Sequence, residues 1–129
     1  MGRERGRDTG SAVVEFALVS SLLAALFLAV LQVGVALYVR NTLVAAAAEG
    51  ARYAADADLG PADGAARTRE VIASSLPSTY AANVTAGFET VDGVRTVVVQ
   101  VRAPLPILGM AGPSGDLVVQ GHALVEELP

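Results

Sequence analysis

The sequence predicts an α+β fold: a long N-terminal transmembrane helix that continues into a small extracytoplasmic head with a second helix and a three-stranded antiparallel sheet. Three observations carry the prediction. Residues 16–39 form a run of 24 with no charge and no proline; Leu59-Gly60-Pro61 and Pro77 bracket a stretch with apolar residues at helical spacing; and Asp92-Gly93 sits between two stretches of alternating apolar residues. The chain has 129 residues, 53% apolar and 17% charged, with mean hydropathy +0.51. That is too apolar for one small soluble domain. Much of the surplus lies in residues 16–39.

A helix of that length reaches ~36 Å, enough to cross a hydrocarbon core of ~30 Å with some tilt. A buried core helix would carry a polar face, and the rest of the chain is too short to wrap this one on all sides. The elements in order are a cytoplasmic leader over residues 1–10, a transmembrane helix over 11–40 and an extracytoplasmic domain over 41–129. The leader holds Arg3, Arg5 and Arg7, whereas residues 41–129 hold five arginines against ten acids. The positive-inside rule therefore puts the N-terminus in the cytoplasm and the C-terminus outside, with Arg40 the one residue that argues the other way. A cleavable secretory signal has an apolar region of only ~7 to 15 residues, so a retained single-pass anchor in the cell membrane is the better reading. Within the helix, Ala17, Ser21, Ala25 and Ala29 recur every fourth position. Such a ridge of small residues lets another helix approach closely in lipid.

Glu15 is the anomaly, because it stands between Val14 and Phe16 at the start of the apolar run. A carboxylate in the bilayer costs ~2.5 to 3.5 kcal/mol on the milder scales, unless it lies at headgroup level or finds a partner. The stretch Gly10-Ser11-Ala12-Val13-Val14-Glu15-Phe16 follows a short charged leader and opens directly into the helix. This arrangement resembles a type IV prepilin cleavage site, with a Gly at the cut and a Glu at the fifth mature position. The resemblance implies cleavage between Gly10 and Ser11 by a prepilin peptidase, which leaves the helix on the mature protein. Cleavage would give Ser11 a free amino group, mostly cationic at neutral pH. Glu15 lies four residues along, ~6 Å in rise and on nearly the same face, so it can pair with that terminus or with a neighbour's.

The string GSAVVEFALV (residues 10–19), the stretch RNTLVAAAAEGARYAA (40–55) and the ending PLPILGMAGPSGDLVVQGHALVEE (104–127) together resemble the TadE-like family, pseudopilins of the tight-adherence (Tad, or Flp) pilus system. Major type IV pilins usually begin their mature chain with Phe, and this one would begin with Ser11. What the resemblance implies is a pilin-like plan and a place in pilus assembly. The expected partners are the lipid bilayer, a prepilin peptidase, other pilins or pseudopilins and the Tad assembly machinery, with Glu15 and Phe16 as the assembly positions.

Residues 41–58 are predicted to extend the helix as a stalk, with Glu49 pairing with Arg52, Arg52 pairing with Asp56, and a stripe of Leu43, Ala47, Gly50 or Ala51, and Ala54 facing the head. Gly50 reads as a weakness of ~1 kcal/mol there. A second helix is expected over 61–76, with Pro61 at its first position, Asp63 near its N-terminus and a stripe of Ala65, Ile72 and Leu76 flanked by Ala66 and Val71. Strands are expected over 83–90, 95–103 and 116–126. Asp92-Gly93 predicts a two-residue loop that pairs Val91 with Val94 and so Phe88 with Val97, Ala86 with Val99 and Val84 with Val101, these last three pairs on one face. Leu117, Val119, Ala123 and Val125 give the third strand its apolar face. Two prolines exclude a central strand from the linker over residues 104–110.

Chemistry is sparse in this chain. No Cys excludes disulfides and thiolate chemistry, and one His cannot build a metal cage. His122 reads as a strand residue on the face of Val118, Gln120 and Leu124. Asp56, Asp58 and Asp63 straddle a helix end without the spacing of a calcium loop. No serine has a nucleophile elbow around it. Net charge −4 and pI ≈ 4.8 argue against a nucleic-acid partner. The expectation is a non-enzymatic assembly protein with no cofactor and no small-molecule substrate. A signal-anchored extracytoplasmic binding domain unrelated to pili is the alternative these residues leave open.

Overall fold

The computed structural model describes residues 5–106 and 116–125, and the chain divides into two compact units, residues 1–34 and 35–129. Helix α1 (Arg5–Ala54) belongs to both. Residues 1–4 of the leader lie outside the described residues, and 6–10 are already helical.

From Phe16 to Leu31 α1 carries no charge and is exposed on every side. Phe16 is 75% exposed, Leu22 70% and Phe27 66%. By length and composition this helix can cross a membrane. An uncovered aliphatic cylinder of this kind is stable only where lipid or other helices replace water.

The second unit begins at Val35, earlier than the boundary at residue 40 drawn from the apolar run. The reason is packing. Val39 is buried in the core of this unit and Val35 packs against it, so the last part of the apolar run belongs to a protein interior. Leu43, Ala46, Ala47, Ala51 and Ala54 continue the buried stripe. The helix stops at Ala54, short of the expected residue 58. The Ala55 amide is shared between the Ala51 and Arg52 carbonyls at 3.0 and 3.2 Å, the Asp56 amide reaches back only three residues, to Tyr53, and the Asp56 carboxylate accepts the Ala57 N–H at 2.7 Å. Asp56 therefore closes a turn and does not pair with Arg52.

Helix α2 (Pro61–Ser75) starts as expected, with Pro61 in its first turn and the Gly60 N–H donating to the Asp63 carboxylate at 2.9 Å. It ends where the Leu76 N–H bonds to the Ile72 carbonyl, just before Pro77. Its buried face is Gly64, Ala65, Thr68 and Ile72, while Ala66 is exposed. A 3-10 turn (Ser78–Ala81) leads into the sheet.

Strands β1 (Val84–Val91), β2 (Val94–Pro104) and β3 (Asp116–Leu124) form an antiparallel sheet in the order β1-β2-β3. Asp92 and Gly93 both take positive φ, 51° and 81°, as a two-residue primed turn requires. The register is the one this loop imposes, with Val91 opposite Val94, Phe88 opposite Val97, Ala86 opposite Val99 and Val84 opposite Val101. Val97, Val99, Val101 and Val119 are buried against α1 and α2, so one face of the sheet and two helices enclose the core. Pro104 ends β2 opposite Asp116, an end position where a missing N–H is tolerated. Of the expected linker, residues 107–110 lie outside the described residues, as does Glu126 of the expected third strand.

Candidate functional site

Gly10, Ser11, Glu15 and Phe16 lie consecutively on α1, in helical conformation and exposed to solvent. Four residues of helix separate Ser11 from Glu15, ~6 Å of rise and ~40° of rotation, so one face carries both. Glu15 has no ion-pair partner among the described residues, and its neighbours Val13, Val14 and Phe16 are 63%, 57% and 75% exposed. Nothing stands over Gly10: a Cβ built there meets no atom within 4 Å. Opening the helix at the Gly10–Ser11 bond is cheap, because Gly lowers helix stability by ~1 kcal/mol relative to Ala.

The packing of the second unit sharpens the position of Glu15. With Val35 and Val39 committed to a protein core, the stretch free to lie in lipid ends at Gly34. A hydrocarbon core of ~30 Å takes ~20 helical residues. Counting back from Gly34, Glu15 stands at the N-terminal end of a stretch of that length. A carboxylate at the end of such a span is where a partner cation matters most.

Ala17, Ser21, Ala25 and Ala29 form an unobstructed ridge along the same exposed helix. The Ser21 hydroxyl donates to the Ala17 carbonyl at 2.7 Å, so its polarity is satisfied within the helix and the ridge presents small, mostly apolar groups.

Several contacts in the second unit escape sequence reasoning. A Cβ on Gly50 would collide with the Thr68 hydroxyl and lie 2.6 Å from the Gly64 carbonyl oxygen, and one on Gly64 would lie 2.6 Å from the Ala54 methyl. Gly50, read above as a weakness, is therefore where α1 and α2 approach backbone to backbone. Thr68 is fully buried beside it and donates to the Gly64 carbonyl at 2.8 Å, with the Ala46 carbonyl of α1 at 3.4 Å. Gly121 plays the same part for the sheet, since a Cβ there would strike the α1 backbone at Ala47 and Ala48. The expected Glu49–Arg52 pair does not form. Glu49 instead accepts two hydrogen bonds from Arg67 of α2, at 2.6 and 3.0 Å, and Arg67 also reaches Glu70 at 3.4 Å. The hydrogen bonds and charge of Glu49 hold the Arg67 guanidinium protonated beyond its ordinary range.

The described residues contain no group of three or more His, Cys, Asp or Glu placed to hold a metal. His122 lies exposed on the outer sheet face.

The model of TadE-like proteins matches residues 10–52, beginning at Gly10 and ending within the buried part of α1. No curated protein and no solved structure matches the chain. The match and the exposed apolar helix fit a membrane-anchored protein associated with Tad pili.

Proposed function

We propose, from the match of residues 10–52 to the model of TadE-like proteins, that the chain is a non-enzymatic pseudopilin, cut after Gly10 by a prepilin peptidase and taken into Tad pilus assembly. The observation that carries the reading is the position of Glu15. A carboxylate at the inner edge of a ~30 Å span, one helical turn from the Ser11 amide, has a use if that amide becomes a free ammonium group. Cleavage supplies the cation. The charge pair then forms within one chain or between a new subunit and its neighbour, and the second arrangement sets how far one helix slides along another. Phe16 follows the carboxylate at the start of the uncharged run, and the ridge from Ala17 to Ala29 gives a neighbouring helix room to come close.

In this reading the leader stays in the cytoplasm and the second unit lies outside. The partners are the bilayer, the peptidase, other pilins or pseudopilins and the assembly machinery. The test separates processing from assembly. Glu15→Gln in the full chain is expected to leave membrane insertion and cleavage intact while reducing co-purification with the other pilus proteins severalfold. Unchanged co-purification would show that the carboxylate has no part in assembly.

A further inference from the structure

We propose that the outer face of the sheet binds the exposed face of α1 from a second copy, joining second units head to tail. The sheet contains two glycines that no turn requires, and a glycine inside a strand weakens it and marks a close approach of another backbone. Gly121 faces inward and is explained by the α1 backbone lying against it. Gly87 faces outward, opposite Val98, and a Cβ built there meets nothing within 4 Å. Around it lies a cleft of about 180 Å³, floored by Val98 and bordered by Glu89, Gln100 and Gln120.

The occupant is argued from charge and spacing. On α1, the side turned away from the core presents Asn41, Ala45, Ala48 and Arg52 in helical succession, all exposed except the half-buried Ala48. Arg52 lost its expected partners when Glu49 turned to Arg67 and Asp56 turned to Ala57. Neither Arg52 nor Glu89 has an ion-pair partner among the described residues. From Ala48 to Arg52 is ~6 Å along a helix, and from Gly87 to Glu89 is ~6.6 Å along a strand. Ala48 seated at Gly87 therefore brings Arg52 to Glu89. The two faces belong to opposite sides of one domain, so the contact is heterologous and repeats from copy to copy without closing on itself. It involves only the second unit and does not depend on cleavage after Gly10.

The chain has no cysteine, so introduced ones report alone. Thr85→Cys and Ala45→Cys, which flank the Gly87–Ala48 contact on the side away from Glu89 and Arg52, placed together in the full chain in membranes and treated with a short bismaleimide, are expected to give a ladder of dimers, trimers and larger species. Each alone is expected to give none. In that double-cysteine chain, Glu89→Arg or Arg52→Glu is expected to abolish the ladder, and the two reversals combined to restore it. Crosslinks between chains carrying only Thr85→Cys, a ladder indifferent to the charge reversals, or no ladder from chains whose circular dichroism shows them folded would each overturn the inference.

Discussion

Glycine carries unusual weight in the second unit, and the four positions inside its described helices and strands, Gly50, Gly64, Gly87 and Gly121, differ sharply in what surrounds them. At Gly50, Gly64 and Gly121 a single methyl would collide with backbone or with a buried hydroxyl. Overpacking of that kind costs ~1 to 3 kcal/mol, more than the ~1 kcal/mol that Ala gains over Gly in a helix interior. Gly50→Ala, Gly64→Ala and Gly121→Ala are each predicted to lower the stability of the second unit by about 1 to 3 kcal/mol, measured by urea unfolding of the detergent-solubilised chain followed by circular dichroism. Gly87→Ala serves as the contrast, predicted to be neutral or stabilising because its Cβ meets open space. At this scale the sequence was a poor guide. A glycine in a helix reads as a local weakness until the element crossing it is known, and the Thr68 hydroxyl above Gly50 comes from 18 residues further along. Glu49 failed for the same reason, since rules based on i,i+3 and i,i+4 spacing cannot find Arg67.

Between elements, the two parts of α1 obey different solvents. Leu43 is fully buried against the second helix and the sheet, while Leu23 is 59% exposed in the apolar run. Leu43→Ala is predicted to destabilise the second unit by about 2 to 5 kcal/mol, the usual range for emptying a buried leucine site. Leu23→Ala is predicted to leave the same unfolding transition unchanged. The hairpin was legible to the residue because two independent signals agreed: Asp92-Gly93 permits one register, and the alternation of valines buries one face only in that register. The end of α1 was not legible to that precision. No proline or glycine stops the helix between Ala54 and Asp58, and the turn is closed by a side-chain bond from Asp56 that composition does not announce. The limit of the apolar run misled in the other direction, because Val35 and Val39 are as apolar as any lipid-facing residue yet pack in a protein core. Hydropathy cannot tell the two environments apart.

For the whole molecule, the reading makes a prediction about sidedness. In chains that also carry Gly10→Val, so that the leader is retained, a membrane-impermeant maleimide added to intact cells is expected to label Asp92→Cys in the hairpin loop and to spare Gly6→Cys in the leader; the reverse pattern would place the second unit in the cytoplasm. Gly10, Ser11 and Glu15 were singled out by their resemblance to a prepilin cleavage site ahead of a long apolar helix, since a Gly five residues before a Glu says little alone. What the fold added was the packing of Val35 and Val39, which shortens the uncovered apolar stretch at its C-terminal end and leaves Glu15 near its N-terminal end. The central claim is that Glu15 stands there to meet an ammonium group made by cleavage. The most direct test is the N-terminal sequence of the membrane-purified chain after co-expression with its prepilin peptidase. The account predicts a mature chain that begins at Ser11, with Gly10→Val blocking the cut. A chain that still begins at Met1 in the presence of active peptidase would contradict it.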